Sequence, residues 1–289
     1  MKFIDNSSDL SKYLEIHITP NIAIKSISTD TRSLKKGSMF IALKGKNFDG
    51  NDYVEDAINK GAVIVLTDHK GYQNKKNKKI IYVKNTIHSL KKISTNIIKN
   101  YQGNVIAITG SNGKTTTTDI ISKTLKNNSK THKNFNNEIG VPLSIMNASP
   151  KSQNLILEIG ASKTKDIDYL SKILRPYIGV ITNIGHSHLE KLVNIDGVLK
   201  VKSEIVKNIK KNGYLIVPND NKQHLAKWRK LRHDIKILSF GLKKDSDFYA
   251  SKINLKENGL SFTILSKLIE KPVQIVTSIE GEHNIKNIL

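Results

Sequence analysis

The residues best suited to chemistry lie in one stretch, NVIAITGSNGKTTTTD, at positions 104–119. An apolar strand there runs into a turn bracketed by Gly110 and Gly113, and a threonine-rich helix start follows. Such glycines let successive backbone N–H groups point inward at a polyphosphate, Lys114 can reach the β- and γ-phosphates, and the Thr115 hydroxyl can ligate Mg²⁺. We therefore predict a nucleoside triphosphate site made by Gly110, Ser111, Asn112, Gly113, Lys114, Thr115 and Thr116.

This loop departs from the usual phosphate-loop pattern at one position. The pattern G-x-x-x-x-G-K-[ST] places a glycine at 108, where this chain has Ile108. The alternative interpretation is an ordinary Gly-Asn turn between a strand and a helix. The β-branched residues Val105 and Ile106 before the loop, and the amphipathic run 120–125 after it, favour a variant phosphate loop.

Three further sets of polar residues follow apolar segments. Glu158 closes an apolar strand, and a carboxylate there would face the same crevice as the phosphate loop and could hold Mg²⁺. His186 and His188 stand two positions apart, so they share a face of an extended segment. A later helix carries Lys200, Lys202 and Glu204. Taken singly, these sets also fit a surface glutamate, hydrogen-bonding loop histidines and an exposed helix face.

Composition limits the classes of protein. The chain has 289 residues, enough for two domains, and no cysteine, which excludes a disulfide framework and thiolate chemistry. No apolar run approaches the roughly 20 residues of a membrane helix, and the N-terminus lacks a signal-peptide core, so we expect a cytoplasmic protein without membrane insertion. The net charge of +22 is spread along the chain mainly as lysine, without basic–aromatic clusters. We therefore expect no nucleic-acid binding.

The alternation of apolar strands with amphipathic helices predicts an α/β protein. In the first hundred residues we expect strands at 22–28, 38–43, 62–67 and 79–83, with helices at 53–60 and 86–100. After the phosphate loop we expect a doubly wound, mainly parallel sheet with strands at 154–159, 178–183, 214–218 and 235–240 and helices at 167–174, 196–208 and 221–230. Three strands without helices in 248–278 predict an antiparallel extension. The domain boundary is expected near 101–103, giving domains 1–102 and 103–289.

Taken together, the motifs resemble one known family. The order of the phosphate loop, NFNNEIGVP (134–142), LEIGAS (157–162), TNIGHSHLE (182–190) and VKSEI (201–205) is similar to the central domain of the Mur ligases. The segment ISTDTRSLKKGSMFIALKGKNFDGNDYVEDAINKGA is similar to their uridine-nucleotide-binding N-terminal domain. Within the family, NFNNEIGVP is similar to the form of this motif in the branch that adds D-alanyl-D-alanine. The resemblance runs from about residue 24 to the last residue.

The resemblance implies roles for individual residues. Lys114 and Thr115 would contact phosphate and the first Mg²⁺, Glu158 would bridge toward the metals, and His188 would bind the second Mg²⁺. Lys202 would react with CO₂ to give a carbamate, an anionic metal ligand. The helical period separates it from Lys200, which points about 200° away.

Further residues match other motifs of the family. We interpret His186 and Glu204 as supporting groups of the site. Those expected near the adenine are His283, Asn284 and Asn287. Those expected around the uridine nucleotide are Ser28, Thr31, Arg32, Asp49, Gly50 and Asn51. Those expected to line the active-site crevice are Asn136 and Asn137. The chain departs from the family at Lys165, where a glycine is usual, and at 191–194, which replace a glycine-serine stretch.

The resemblance implies an ATP-dependent amide ligase whose substrates are UDP-N-acetylmuramoyl-tripeptide and D-alanyl-D-alanine, with an acyl phosphate between the two steps. The family's C-terminal domain, which closes over ATP, would begin where this chain ends, so we expect little ligase activity from these residues unless a separate C-terminal domain completes them. Two alternatives stay open: another Mur-type ligase, adding a diamino acid or polyglutamate, and a non-catalytic nucleotide-binding remnant.

Overall fold

The computed structural model describes residues 1–45, 48–74, 77–132, 134–185 and 194–289. They form two compact units, one from Met1–Gln102 with Glu138–Ser152 and the other from Gly103–Asn137 with Gln153–Leu289. One division between the units lies between Gln102 and Gly103, and the expected domains 1–102 and 103–289 stay a prediction. The segment Glu138–Ser152, expected in the second domain, lies instead in the first unit because its helix packs on a helix of that unit.

The first unit contains a small parallel sheet. Its strands are β1 (Ser26–Ser28), β2 (Ser38–Ile41), β3 (Ile64–Thr67) and β4 (Ile80–Tyr82), in the order β1-β2-β3-β4. All residues of β2 and β3 are buried, as expected of parallel strands covered on both faces. The α-helices described in this unit are α1 (Ser7–Leu14), α2 (Val54–Asn59), α3 (Thr86–Asn100) and α5 (Gly140–Asn147), and two 3₁₀ helices span Gly50–Tyr53 and Lys70–Tyr72.

The second unit contains a nine-stranded sheet in the order β13-β12-β11-β10-β9-β8-β5-β7-β6. The strands of its main part are β5 (Asn104–Thr109), β6 (Asn128–Lys130), β7 (Asn154–Glu158), β8 (Ile178–Ile181), β9 (Tyr214–Pro218) and β10 (Lys236–Gly241). These strands pair in parallel. Ile106, Ile108, Ile156 and Val180 form a buried cluster between neighbouring strands, so apolar residues fix the register of β5 with β7 and β8.

The remaining strands are β11 (Phe248–Lys256), β12 (Gly259–Ser266) and β13 (Val273–Thr277). β11 and β12, and β12 and β13, pair antiparallel, which confirms the predicted extension. The helices described in this unit are α4 (Lys114–Thr124), α6 (Asp166–Leu174), α7 (Ile195–Lys202), α8 (Lys222–Leu231) and α9 (His283–Ile288). A 3₁₀ helix, Ser203–Asn208, continues directly from α7.

The predicted α/β class and the mainly parallel large sheet are confirmed. Several predicted elements are longer than the observed ones. The strand expected at 22–28 forms only over Ser26–Ser28, and the helix expected at 196–208 changes to 3₁₀ geometry after Lys202. The sequence also contained two unpredicted helices, Ser7–Leu14 and Gly140–Asn147. Among the described residues, no helix is long and apolar enough to cross a membrane.

Candidate functional site

The glycine-bracketed turn connects β5 to α4 and needs both glycines. Gly113 is the N-cap of α4 with φ +79°, and Gly110 has φ +151°, conformations that other residues rarely adopt. A Cβ atom on Gly110 would lie 1.9 Å from Oγ1 of Thr182. The loop therefore packs its backbone directly against the end of β8, which a side chain at 110 would prevent.

Lys114 starts α4 and folds back over this loop. Its amino group donates hydrogen bonds to the carbonyls of Gly110, at 3.0 Å, and of Ser111, at 3.3 Å. Burial lowers the pKa of Lys114, and the negative charge of Glu158 opposes that change. Thr116 is half-buried in the first turn of α4. A cation placed over a loop of N–H groups at a helix N-terminus is suited to an anionic phosphate.

Glu158, at the carboxyl end of β7, is the centre of the site. Its side chain is buried, and its two oxygens accept hydrogen bonds of 2.7 Å from Thr115 Oγ1 and from Asn136 Nδ2. Its backbone N–H donates to Thr131 Oγ1 at 2.8 Å. Asn137, by contrast, is exposed. The parallel pairing of β5 with β7 thus places the loop beside Glu158, and Asn136 reaches the same carboxylate.

A small cavity of about 290 Å³ opens beside this carboxylate. Its lining includes Thr115, Thr118, His132 and Glu158. Thr118 Oγ1 is buried and has no hydrogen-bond partner in the part of the chain that the structure describes. Mg²⁺ prefers oxygen ligands such as hydroxyls and carboxylates, so the residues of this site are suited to bind this ion. No group of three or more His, Asp or Glu side chains among the described residues is arranged to hold a metal ion.

The residues after β8 hold the phosphate loop through hydrogen bonds. Thr182 Oγ1 donates to the carbonyl of Asn112 at 2.5 Å, and Asn183 Oδ1 accepts from the N–H of Asn112 at 2.9 Å. Ser111 Oγ and the backbone of Gly185 also exchange hydrogen bonds. Sequence reasoning did not assign Thr182 or Thr131 to the site, although each directly follows a strand. His186 and His188 lie outside the described residues.

Lys202 ends α7 with its side chain almost fully buried, at 1% exposure, whereas Lys200 is exposed. Burial lowers the pKa of Lys202 to about 8, and the positive charge of Lys114 acts in the same direction. The structure thus separates the two lysines as the helical period predicted. Glu204, which follows in the 3₁₀ helix, accepts hydrogen bonds from the backbone N–H groups of Lys165 and Asp168.

Helix α9 brings the predicted adenine-contacting residues next to the phosphate loop. Asn287 Oδ1 accepts a hydrogen bond of 3.4 Å from Thr117 and would lie 2.3 Å from a Cβ atom on Gly113. Asn287 Nδ2 donates to Asn284 Oδ1, and Asn284 lies beside His283. The three residues therefore form one hydrogen-bonded group at the loop.

In the first unit, a cavity of about 430 Å³ holds some of the residues expected around the uridine nucleotide. Thr31, Arg32 and Gly50 line it together with the exposed rings of Phe48 and Tyr53, which sequence reasoning did not include. Ser28 and Asp49 are not among its lining residues: Ser28 hydrogen-bonds the backbone of Asp30, and Asp49 accepts from Asn51. Asp30 holds Arg32 through paired hydrogen bonds, which lower the pKa of Asp30 to about 2.

Comparison with known protein families gives two matches. The sequence profile described as the Mur ligase middle domain matches residues 108–289. The profile described as the Mur ligase family catalytic domain matches residues 23–99. The two matches fall on the two regions in which the candidate residues lie.

Curated relatives and solved structures agree with these matches. UDP-N-acetylmuramoyl-tripeptide–D-alanyl-D-alanine ligase of Buchnera aphidicola subsp. Baizongia pistaciae is 40% identical over 282 residues, covering 96% of this chain and 60% of the relative. The enzyme of the same name from Bacillus subtilis is 35% identical, over 92% and 57%. A crystal structure of MurF from Acinetobacter baumannii superposes with a TM-score of 0.84 at 29% identity, over 96% and 61%. The MurF ligase of Thermotoga maritima in complex with ADP gives 0.79 at 27% identity, over 91% and 60%. This chain spans about three fifths of the length of these proteins.

Proposed function

Because this chain belongs to the Mur ligase family, we propose that it takes part in the ATP-dependent addition of D-alanyl-D-alanine to UDP-N-acetylmuramoyl-tripeptide in peptidoglycan synthesis. One observation carries the proposal most strongly. Buried Glu158 joins Thr115 of the phosphate loop to Asn136 of the NFNNEIGVP segment, so groups suited to ATP, to a metal ion and to a second substrate meet at one carboxylate. The 40% identical Buchnera enzyme carries that activity in its name.

The chemistry of the site assigns each residue a part. Lys114 would neutralise charge on the β- and γ-phosphates of ATP, since its amino group already lies over the loop. The backbone N–H groups of 110–114 would bind phosphate oxygens. Thr115 and Glu158 would hold Mg²⁺, which would neutralise further negative charge on those oxygens. His283, Asn284 and Asn287 would lie toward the adenine, on the side of the loop that α9 covers.

The proposed reaction has two steps. A carboxylate oxygen of the tripeptide attacks the γ-phosphorus of ATP, the bond from phosphorus to the bridging oxygen breaks, and an acyl phosphate and ADP form. The amine nitrogen of D-alanyl-D-alanine then attacks the acyl carbon, the carbon–oxygen bond to phosphate breaks, and the nitrogen loses a proton. An amide and inorganic phosphate result. Positioning and charge neutralisation supply the rate enhancement, and no side chain serves as a covalent nucleophile.

Lys202 would carry a carbamate in the working site. Only a neutral amine reacts with CO₂, and burial lowers the pKa of Lys202 to about 8, so a useful fraction is neutral near physiological pH. The amine nitrogen forms a bond to the carbon of CO₂ and releases a proton, which leaves an anionic group. Such a group would attract Mg²⁺, whereas the ammonium would repel it.

The first unit would bind the uridine nucleotide. Its cavity places Thr31 and Arg32 beside the exposed rings of Phe48 and Tyr53. Aromatic faces and a guanidinium are suited to a nucleobase and a diphosphate. Ser28, Asp49 and Gly50 would act by shaping the loops around this cavity, because the hydrogen bonds of Ser28 and Asp49 go to neighbouring residues and Gly50 packs on the backbone of Leu43.

The proposal is tested first by binding. Isothermal titration of this chain with MgADP and separately with UDP-N-acetylmuramoyl-tripeptide should show one site for each. Lys114→Ala should weaken MgADP by about tenfold or more, through loss of a charge-assisted contact, and leave the tripeptide unaffected. Lys123→Ala, on the last turn of α4, serves as the matched control. A chain that binds neither molecule would contradict the proposal.

The acceptor is tested separately. Phosphate release and product mass would be followed with ATP, UDP-N-acetylmuramoyl-tripeptide and, in turn, D-alanyl-D-alanine, a diamino acid or glutamate. The proposal predicts that, of the three acceptors, only D-alanyl-D-alanine gives product. The assay is made with this chain and with a longer protein that contains it. Preference for a different acceptor would favour another branch of the family.

A further inference from the structure

The amino end of α6 is capped by a carboxylate from a distant part of the chain. The N-cap residue, Lys165, makes no side-chain capping hydrogen bond. Glu204 instead accepts from the N–H groups of Lys165 at 2.8 Å and of Asp168 at 3.1 Å. In an ordinary capping box, residues of the helix itself satisfy these two amides. One buried carboxylate, 39 and 36 residues further along the chain, does both.

The residue that Glu204 holds has a strained backbone. Lys165 has φ +71° and ψ −1°, in the left-handed region that side chains other than glycine enter at an energetic cost. This is the position at which related sequences were expected to carry glycine. The hydrogen bond from the Lys165 N–H to a buried carboxylate is charge-assisted and therefore strong. Glu204 thus offsets the strain that a lysine introduces here.

The same turn continues into the loop that follows Glu158. Asp166, the first residue of α6, accepts hydrogen bonds from Ser162 N, Ser162 Oγ and Lys163 N. Glu204 itself belongs to the 3₁₀ helix that continues from Lys202. Two sets of hydrogen bonds, joined by the backbone of the first turn of α6, therefore connect the segment carrying Lys202 to the loop after β7.

We propose that Glu204 is a positioning residue: by fixing the first turn of α6, it keeps the Lys202 side chain buried at a set place relative to the loop that follows Glu158. Its importance for catalysis rests on the proposed function, whereas the positioning itself does not. Loss of Glu204 would remove the acceptor of the Lys165 and Asp168 N–H groups and let Lys165 leave the left-handed region. Helix α6 packs on α7 and on the 3₁₀ helix, which meet at Lys202, and this packing would then loosen.

Lysine reactivity tests this inference without any ligand. Acetylation of each lysine by acetic anhydride would be followed by peptide mass spectrometry in wild type, Glu204→Gln and Glu204→Ala, in CO₂-free buffer. At a pH of about 9.5 Lys202 of the wild type is mainly deprotonated, because its pKa is about 8, so slow acetylation there reports burial rather than protonation. Exposed Lys207, in the same 3₁₀ helix, and half-buried Lys114 serve as internal references. Glu270→Gln, at an exposed glutamate, is the matched control variant.

We expect acetylation of Lys202 to accelerate by about tenfold in Glu204→Ala and by less in Glu204→Gln, whose one amide oxygen still accepts a hydrogen bond. Lys207, Lys114 and the control variant should not change. Adding Lys165→Gly to Glu204→Gln should return the rate toward wild type, since glycine adopts the left-handed conformation without strain. Unchanged reactivity of Lys202 in both variants, or an equal rise at Lys114, would overturn the inference.

The outcome is separable from that of the proposed function. A wild-type chain that fails to bind MgADP or to form a carbamate would remove the proposed catalytic meaning of Lys202. The acetylation rates would still decide whether Glu204 holds that lysine in place. A carbamate signal from ¹³C-labelled bicarbonate, reduced in Glu204→Ala relative to wild type, would connect the two.

Discussion

The Thr115 hydroxyl donates a hydrogen bond of 2.7 Å to the Glu158 carboxylate, joining the first turn of α4 to the end of β7. Glu158 is 2% exposed, and its other oxygen is held by Asn136. A buried carboxylate is costly unless its oxygens are bonded, so this arrangement stabilises the loop and keeps an anionic group ready beside the phosphate site.

Replacing that carboxylate should separate metal-dependent from metal-independent nucleotide binding. In Glu158→Gln we expect the affinity for MgADP to fall by about ten- to hundredfold, because the amide is a poor ligand for Mg²⁺ and the site loses a charge. The affinity for ADP in the presence of a chelator should change little. Calorimetry under both conditions measures this, with exposed Glu257→Gln as the control. Equal losses with and without Mg²⁺ would argue against a metal ligand.

Gly110 and Gly185 should differ sharply in how well they tolerate replacement by alanine. Gly110→Ala would place a Cβ atom 1.9 Å from Thr182 Oγ1 at a φ of +151°, and we expect it to lower the free energy of unfolding by about 2 kcal/mol or more. Gly185→Ala is the matched control, since its Cβ atom would meet nothing nearer than 3.8 Å. Urea denaturation compares them. Similar stabilities would mean that the loop does not pack on β8 as described.

Lys165→Gly should stabilise the protein. Relief of the left-handed conformation is worth about 1–2 kcal/mol, and the greater freedom of glycine in the unfolded chain removes about 0.5–1 kcal/mol, so a gain of about 0.5–1 kcal/mol remains. Asn212→Gly, at φ +62°, is the control and should gain less, because asparagine tolerates this region. Thermal and urea unfolding measure both. A loss of stability in Lys165→Gly would show that the lysine side chain contributes more than its backbone costs.

Stability should depend on the protonation of Lys202. Its pKa is about 8 in the folded protein, against 10.5 for an unburied lysine, so the unfolded chain binds more protons between these values. The free energy of unfolding should therefore rise with pH from about 8 to 10.5, by at most about 1.4 kcal/mol per pH unit from this group. Lys202→Met should lose this rise. Urea denaturation across that interval, in CO₂-free buffer, gives the difference between the two proteins. The same slope in both would contradict burial of a titrating Lys202.

Several features of the site could be predicted because they depend on neighbours in sequence. The turn 110–113 needs glycines locally, and the lysine and threonine that follow it begin a helix. The resemblance implied Lys202, and the helical period indicated that Lys200 points away from it; the structure buries the first and exposes the second. The expected family was likewise confirmed, because its motifs are local.

Other features needed contacts between distant residues. Nothing near Thr182 in the chain indicates that its hydroxyl bonds the loop carbonyl of Asn112, 70 residues earlier. The capping of α6 by Glu204 is equally remote, since a carboxylate on a helix has an ordinary interpretation as a solvated charge. Helix α5 also lies within the segment that packs with the first unit, although the chain has already entered the second.

The sequence by itself determined the class of fold, the glycine-bracketed turn before α4 and the set of residue types available for chemistry, because strand and helix periods and glycine conformations are properties of short segments. Only the tertiary structure decided which of those residues meet: Thr115 and Asn136 at Glu158, Asn287 at the phosphate loop, and Glu204 at the start of α6. The physical reason is that parallel strand order and register, fixed by burial of apolar residues from the whole sheet, set the distances between strand ends. The residues near a given position in the sequence contribute only a small part of that burial, so they do not specify the distances between strand ends.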